Sequence, residues 1–261
     1  MEKIAIISDI HANITALEAV LADIEKRKVD KIFCIGDSIV KGANPAKVID
    51  ILKEKCDVML IGNTDYTVCN PEAKEKGYWT TKQIGEERAK FIFNLPRMHQ
   101  FYLSGQLVRL FHATPFDLDG IYNPMYKNNN SRKEITDPSK MFKNTEFLGV
   151  KDEIIEPDIV GYGHIHTPLL VKYKNKTIFN TGSIGVPVEM QIIDENDENN
   201  KFSTVASYTI LEGDYGSKEY GNISFTQVRV IYDIEKEIEI LKASDMPNRE
   251  GIIKSLKTAM S

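Results

Sequence analysis

The sequence has few cysteines, no long apolar run and no excess of positive charge. Its three cysteines are an odd number without paired spacing, and Cys34 and Cys56, in or beside apolar stretches, are predicted to be buried thiols. No apolar stretch approaches the roughly 18 to 20 residues of a membrane-spanning helix, and the N-terminus has no signal-peptide pattern. The net charge is −5 without a dense basic cluster. We therefore expect a cytoplasmic protein without a membrane or a stable nucleic-acid partner.

The remaining composition is that of an ordinary globular protein. Of 261 residues, 42% are hydrophobic and 27% are charged. No internal repeat or linker divides the chain, so residues 1–261 are predicted to form one domain. The polar motifs described below lie within residues 9–166, and a β-rich second sheet with the terminal helices is predicted over 167–261.

The first predicted strand, Lys3 to Ser8, ends in Asp9 and His11. In an extended chain, side chains two positions apart lie on the same side, so this carboxylate and this imidazole can point at one object. Asn13 follows as a predicted N-cap. The apolar spacing after it predicts a helix that packs on a sheet.

Two further strand–helix units follow. The strand Lys31–Ile35 ends in Gly36-Asp37, and Val58–Ile61 ends in Gly62-Asn63. Repeated units of this kind predict a largely parallel sheet with right-handed crossovers. The polar residues after all three strands should then share one rim, and the glycines would allow close backbone approach.

The remaining pattern predicts a helix over Pro71–Leu95 and a hairpin over Gln100–Phe111 that delivers His112 at a strand end. Residues 116–147 are predicted to be a long surface loop containing a short helix. A short strand then ends in Gly163-His164-Ile165-His166, and antiparallel β-structure follows.

Four of the five histidines lie at strand-to-loop junctions beside glycine or small residues. Taken singly, such a histidine is usually a satisfied hydrogen-bonding residue, and Gly-Asp and Gly-Asn are common turn dipeptides. Two imidazoles at positions i and i+2, as in His164 and His166, suit a metal site better. The fifth histidine, His99, has no comparable partner and is interpreted as a surface or helix-end residue.

Together, the motifs resemble those of the calcineurin-like metallophosphoesterases: D-x-H, G-D, G-N-[HD], H and G-H-x-H. The resemblance implies an α/β fold, a four-layer α/β/β/α sandwich, in which two divalent ions are held by Asp9, His11, Asp37, Asn63, His112, His164 and His166. Metal one would be held by Asp9, His11 and His166, metal two by Asn63, His112 and His164, and Asp37 would bridge them. Asp37, Asn63 and His112 would be catalytic, and Asn63 would also bind substrate.

The donor chemistry agrees with this assignment. A mixed set of imidazole, carboxylate and amide donors suits Mn, Fe, Zn or Ni better than Ca or Mg. Only Asp9 and Asp37 are anionic, so two divalent ions would leave a positively charged centre that attracts phosphate. The resemblance implies that a metal-bound hydroxide attacks phosphorus in line.

One departure from the motif set concerns the leaving group. Many members have a histidine after G-N, whereas Thr64 and Asp65 follow here, as in the branch resembling the YfcE-like bacterial phosphodiesterases. Threonine is a poor acid at neutral pH, which predicts a preference for substrates with good leaving groups. Asp65 either orients a ligand or water or stabilises the turn, and both interpretations stay open.

Two other stretches are weaker candidates. Asn180–Gly185 is similar to the family's N-P-G-S-[VI]-G segment, with Thr181 in place of proline, and is predicted to pack beneath the metal site. Arg132 and Lys133 are candidates for contact with a distal phosphate, although basic residues on a solvated loop have no such role by default.

The leading hypothesis is a dinuclear metal-dependent phosphodiesterase acting on a small phosphorylated substrate such as a nucleotide. The alternative within this chemistry is hydrolysis of dinucleoside polyphosphates such as diadenosine tetraphosphate, because an anhydride needs less acid assistance. A metal-binding scaffold, as in the family's retromer subunit, is the non-enzymatic alternative. Protein phosphatase activity ranks low without the histidine after Asn63.

Overall fold

Two mixed β-sheets of five strands each lie face to face. The computed structural model describes residues 1–73, 78–124, 134–150, 155–188 and 203–258. The strands are β1 (Glu2–Ile7), β2 (Lys31–Cys34), β3 (Val58–Met59), β4 (Met98–Leu103), β5 (Gln106–Phe111), β6 (Ile159–Tyr162), β7 (Leu169–Tyr173), β8 (Lys176–Asn180), β9 (Val205–Gly213) and β10 (Ser224–Ile231). The α-helices are α1 (Ile14–Lys26), α2 (Pro45–Lys55), α3 (Asn63–Cys69), α4 (Tyr78–Phe93), α5 (Ile234–Ala243) and α6 (Arg249–Thr258).

The first sheet has the strand order β10-β9-β1-β2-β3. Strands β1, β2 and β3 are parallel, as predicted, because a helix after each strand returns the chain to the same end of the sheet. Strand β1 is apolar on both faces: Ala5 and Ile7 face the helices, whereas Ile4 and Ile6 face the second sheet. A strand in this position must be buried on both sides.

The second sheet has the order β4-β5-β6-β8-β7, so the predicted division after residue 166 is wrong. Its strands come from residues 98–180, and the two later strands, β9 and β10, join the first sheet beside β1. Apolar alternation indicates that a segment is a strand but not which edge it pairs with. The unpaired edge of β1 accepts β9 in antiparallel register, with Ile4 opposite Leu211.

Helices cover the outer face of the first sheet. Asn13 caps α1 as predicted by accepting a hydrogen bond from the Ala16 amide, and Leu17, Val20 and Ile24 are buried in the predicted stripe. The helix predicted over Pro71–Leu95 is shorter. It spans Tyr78–Phe93 and is broken at Gly85, where φ is 74°.

The outer face of the second sheet is covered by two 3₁₀ turns, Pro138–Phe142 and Glu146–Leu148, and by irregular chain around Tyr122. The predicted surface loop therefore has a buried underside, since Met141 and Tyr122 pack against the sheet. The α/β fold class is confirmed.

Three other observations bear on the predictions. Cys34 and Cys69 are buried, Cys56 is partly buried, and all three are free thiols. His99 is not a helix-end residue: it lies on β4, where its ring contacts Phe33 and Phe101. Within the described ranges, no helix is both long and apolar enough to cross a membrane.

Candidate metal centre

Seven predicted ligand residues converge at one rim of the two sheets. Strands β1 and β2 lead into Asp9, His11 and Asp37, and the chain after β3 enters α3 at Asn63. From the second sheet, the parallel strands β5 and β6 lead into the three remaining residues, His112, His164 and His166. The rim arises because parallel strands of both sheets end at the same place.

The loops at this rim hold unusual backbone conformations. Five of the seven ligand residues have positive φ: Asp9 (53°), His11 (51°), Asp37 (56°), His164 (66°) and His166 (62°). The extended-chain reasoning applied to Asp9 and His11 is therefore wrong in its premise, because β1 ends at Ile7. The two side chains nevertheless converge through left-handed turns. Such conformations in non-glycine residues cost of the order of 1 kcal/mol each and concentrate at functional sites.

Asp9, His11 and His166 form the first half of the cluster. The Nε2 atoms of His11 and His166 are 3.1 Å apart, and Asp9 Oδ1 lies 3.7 Å and 3.2 Å from them, respectively. Asp9 and His11 are fully buried, and Asp9 Oδ1 has no hydrogen-bond partner. Three electron-pair donors thus face one another within the radius of a metal coordination sphere.

Backbone carbonyls decide which ring nitrogens face inward. The Nδ1–H groups of His11 and His166 donate to the carbonyls of Val40 (3.0 Å) and Val186 (2.7 Å). Because a carbonyl only accepts, each Nδ1 carries a proton, and in the neutral form of the ring Nε2 presents a lone pair. Two such lone pairs at 3.1 Å repel unless a cation lies between them.

Asp37 stands between the two halves. Its Oδ2 lies 3.8 Å from His11 Nε2, and its Oδ1 lies 3.5 Å from His112 Nε2. The Thr64 amide donates to Oδ1 at 2.9 Å and orients the carboxylate. One carboxylate therefore faces both groups of donors.

Asn63, His112 and His164 form the second half. Asn63 Oδ1 is 3.0 Å from His112 Nε2 and 3.2 Å from His164 Nδ1. His112 donates from Nδ1 to the Ile35 carbonyl at 3.0 Å, so its Nε2 is also a lone pair. With Oδ1 inward, the Asn63 amide oxygen meets only acceptors, whereas the rotated amide would donate to Asp37 and both imidazoles. A bound cation would favour the first orientation.

The residues fit bound metal cations. The unpartnered Asp9 Oδ1, the facing imidazole lone pairs and the inward amide oxygen are all left without a donor by the protein itself. A buried cluster of acceptors is unfavourable without positive charge, and a metal ion supplies that charge.

The charges of the cluster act on one another. Burial alone would raise the pKa of Asp9, but the facing imidazoles, His166 foremost, bring it well below its usual value. Burial, followed by the charge of His112, lowers the pKa of His164 to about 3. Burial works against the charged form of His112, yet Asp37 raises its pKa. The shifts of Asp9 and His164 favour the ionised carboxylate and the neutral imidazole that bind metal, whereas the raised pKa of His112 favours a proton that a bound metal ion would displace.

Two glycines allow the close approach on which the cluster depends. A β-carbon on Gly62 would overlap the backbone and carboxylate of Asp37. A β-carbon on Gly163 would overlap the Ser8 side chain and lie 2.6 Å from Asp9 Oδ2. The turns of the two sheets meet here with no room for a side chain.

Asp65 stabilises these turns. One carboxylate oxygen accepts from the Ser38 (2.9 Å) and Ile39 (3.3 Å) amides, and the other accepts from Gly62 (3.3 Å). The side chain is fully buried, and burial, followed by the charge of Asp37, raises its pKa to about 7. Of the two interpretations left open for Asp65, the structure favours turn stabilisation.

The segment Asn180–Gly185 packs beneath the cluster, as predicted. Ser183 donates from Oγ to the Asp9 carbonyl at 2.8 Å, and the Gly185 amide donates to the same oxygen at 2.9 Å. The Val186 amide in turn donates to Ser183 Oγ at 2.9 Å. This segment therefore links the turn of Asp9 to the carbonyl that orients His166.

Comparison with known proteins agrees with this geometry. The calcineurin-like phosphoesterase superfamily domain matches residues 2–198. The chain belongs to that superfamily. The uncharacterized protein MJ0912 of Methanocaldococcus jannaschii is 30% identical over 95% of both chains. A metallophosphoesterase from Sphaerobacter thermophilus (TM-score 0.67, 24% identity, 98% of this chain and 99% of that one) has a similar fold. So does the hypothetical protein PH1004 from Pyrococcus horikoshii OT3 (TM-score 0.66, 18% identity, 98% of both chains).

Membership of this superfamily indicates a general function. The superfamily hydrolyses phosphoesters and typically binds divalent metals, and this chain has the candidate ligand groups for them. The predicted family is confirmed, and the individual ligand roles stay predictions. Arg132 and Lys133 lie outside the described residues.

Sequence reasoning missed the groups that orient the ligands. The carbonyls of Val40, Val186 and Ile35 hold three imidazoles, and backbone carbonyls have no sequence signature. Helix α3, which begins at Asn63, was also missed because its seven residues carry no apolar period long enough to detect.

Proposed function

We propose that the protein is a dinuclear metal-dependent phosphohydrolase, and specifically a phosphodiesterase. The observation that carries this proposal is the buried cluster of inward lone pairs, in which Asp37 faces His11 on one side and His112 on the other. Two separate donor groups joined by one carboxylate suit two ions rather than one.

In this proposal, Asp9, His11 and His166 hold one ion, Asn63, His112 and His164 hold the other, and Asp37 bridges them. Manganese, iron, zinc or nickel would suit these donors. Bound divalent ions would lower the pKa of water and neutralise charge on phosphoryl oxygens. The protein's part is to fix the imidazoles of His11, His112 and His166 through their Nδ1–H groups. It also excludes side chains at Gly62 and Gly163 and offers the Asn63 amide to a phosphoryl oxygen.

Neither of the two residues that follow Asn63 offers a free acid to the leaving group. Thr64 uses its backbone amide to orient Asp37, and Asp65 is occupied by three amides. Leaving-group protonation therefore receives little help, and we expect a preference for activated diesters or phosphoanhydrides. Because of this preference, dinucleoside polyphosphate hydrolysis stays the alternative. The expected partner is a small phosphorylated substrate such as a nucleotide.

The test is an assay of the purified chain after chelation and reconstitution with Mn²⁺ or Fe²⁺. A phosphodiester, a phosphomonoester and diadenosine tetraphosphate are compared, and metal content is measured in parallel. We expect about two ions per chain and the highest kcat/KM on the diester. Asp37→Asn should lower kcat/KM by more than about 100-fold, because loss of groups that merely orient ligands already costs 10- to 100-fold.

Each other outcome has a consequence. Faster turnover of diadenosine tetraphosphate than of the diester would favour the alternative function, dinucleoside polyphosphate hydrolysis. Two bound ions without turnover of any ester would favour a metal-binding scaffold. Full activity of Asp37→Asn would contradict the bridging role. Asp57→Asn is the control, because it makes the same substitution away from the cluster.

A further inference from the structure

A cavity of about 650 Å³ has Val40 in its wall, the residue whose carbonyl accepts from His11, but none of the seven predicted ligand residues. The β2–α2 loop forms one wall with Val40 and Lys41, α4 forms another with Trp79 and Lys82, and the chain between α5 and α6 closes it. This volume is that of a site for an organic ligand rather than for a bare phosphate ion. Its wall combines charged, amide and apolar side chains, a composition that is also typical of ligand-binding sites.

The cavity is joined to the metal centre through one turn. The Val40 carbonyl accepts the proton of His11 Nδ1 at 3.0 Å, and Lys41 follows directly in the chain. Lys41 has a φ of 80°, a strained conformation for a residue with a side chain. A second cavity of about 190 Å³ beside Val186, whose carbonyl orients His166, also includes Lys41 in its wall. Lys41 thus lies between two spaces that flank the ligand-orienting carbonyls.

Lys41 brings a positive charge to the turn beside the metal centre, because it follows Val40, whose carbonyl accepts the proton of His11 Nδ1. The Lys41 side chain is itself exposed, so it can meet a ligand. An anion bound at the metal centre would therefore be attracted by this ammonium group as well.

The cavity wall suits a planar, anionic group. Trp79 is the only tryptophan of the chain, and its indole N–H donates to Asp245 Oδ1 at 2.8 Å, which fixes the ring in the wall. Lys41 and Lys82 outweigh the single charge of Asp245. The amides of Gln83 and Asn248, also in the wall, are donors and acceptors suited to the edge of a base.

We infer that this cavity binds the nucleoside part of a nucleotide substrate, with the base against Trp79 and a phosphate near Lys41. The inference rests on the proposed function, because it gives that site its substrate class. It predicts that a nucleoside monophosphate binds in the cavity even when the metal ions are removed.

The test uses Trp79 as its own reporter. AMP, ribose 5-phosphate and inorganic phosphate are titrated into the full chain in excess chelator, and tryptophan emission is excited at the red edge of the indole band. We expect saturable quenching by AMP at a concentration at least about 10-fold lower than for either comparator, since stacking on an aromatic ring favours the base. Lys41→Gln and Lys82→Gln should each weaken AMP binding by about 5-fold or more.

Lys26→Gln is the matched control. It makes the same charge change in the last turn of α1, about 18 Å along the helix from its start beside the metal centre, and should leave the titration unchanged. AMP binding no tighter than phosphate, or equal affinity of all three variants, would overturn the inference. Quenching by AMP without turnover of any phosphoester would support nucleoside binding in the cavity and contradict the proposed enzymatic function. Turnover without quenching would support the enzymatic function and contradict nucleoside binding in the cavity.

Discussion

At the residue scale, the candidate metal centre depends on residues that orient the predicted ligands without binding metal themselves. Asp65 is one such residue. It binds no predicted metal, yet its carboxylate joins the turn after β2 to the turn after β3 by accepting from Ser38, Ile39 and Gly62. These turns carry Asp37 and Asn63. Orienting groups of this kind affect metal affinity almost as strongly as ligands do.

Replacement of Asp65 by asparagine tests this role. One carboxylate oxygen becomes an NH₂ group that faces backbone amides, so we expect a loss of about 1–3 kcal/mol in unfolding free energy. Metal affinity should fall by about 10- to 100-fold. Calorimetric metal titration and urea unfolding measure the two effects. Asp57→Asn, which alters a single bond to the Ile32 amide, should leave metal affinity unchanged. Equal metal affinity of both variants would refute the positioning role.

At the scale of an element, the segment Asn180–Gly185 connects the two sheets under the cluster. Thr181 donates to the Ile6 carbonyl of β1 at 2.6 Å, and Ser183 donates to the Asp9 carbonyl at 2.8 Å. Val186 hydrogen-bonds to Ser183 and its carbonyl orients His166. The segment therefore helps to position two predicted ligands, Asp9 and His166.

Ser183→Ala is expected to weaken metal binding by about 10-fold or more, because Asp9 and Val186 both lose a hydrogen bond. Ser104→Ala is a matched control: its Oγ donates to the Asn222 carbonyl and accepts from the Asp214 amide at a turn of β4 and β5. Both variants should lose about 1–3 kcal/mol in unfolding free energy. Only Ser183→Ala should alter the metal titration. Similar metal affinity in the two variants would mean that the segment is structural alone.

At the scale of the whole molecule, the C-terminal helices complete the core on the outer face of the first sheet. Glu237 of α5 is buried there, and its carboxylate accepts a hydrogen bond from the Thr15 amide at the start of α1 (3.3 Å). Burial raises the pKa of Glu237 above its usual value. The folded state therefore binds this proton more tightly than the unfolded chain does.

The consequence is a pH-dependent loss of stability. As the pH rises from about 4.5 through the raised pKa, the unfolded chain releases the proton first, so this carboxyl destabilises the fold at neutral pH. Glu237→Gln imitates the protonated form. We expect it to raise the melting temperature of the metal-free protein by a few degrees at about pH 8 and to have little effect at about pH 4. Thermal unfolding across this range measures the difference. Glu235→Gln, exposed on the same helix, is the control, and a pH-independent effect of Glu237→Gln would contradict the prediction.

The sequence by itself determined the chemistry of this protein. Parallel strand–helix units, each ending in a polar residue, predicted a common rim, because strand direction is a local consequence of the crossover helix. The residues that occur there offer imidazole, carboxylate and amide donors, a set that suits transition metals, and no folding event changes what an imidazole or a carboxylate can bind.

Tertiary structure decided the rest. It placed β9 and β10 beside β1, because strand pairing depends on which edge is unpaired rather than on the pattern of the strand. It put Asp9 and His11 into left-handed turns that neighbouring contacts impose, and it set the proton on Nδ1 of three imidazoles through carbonyls distant in sequence. It also formed the cavity beside Lys41, since a cavity exists only between elements that have already packed together.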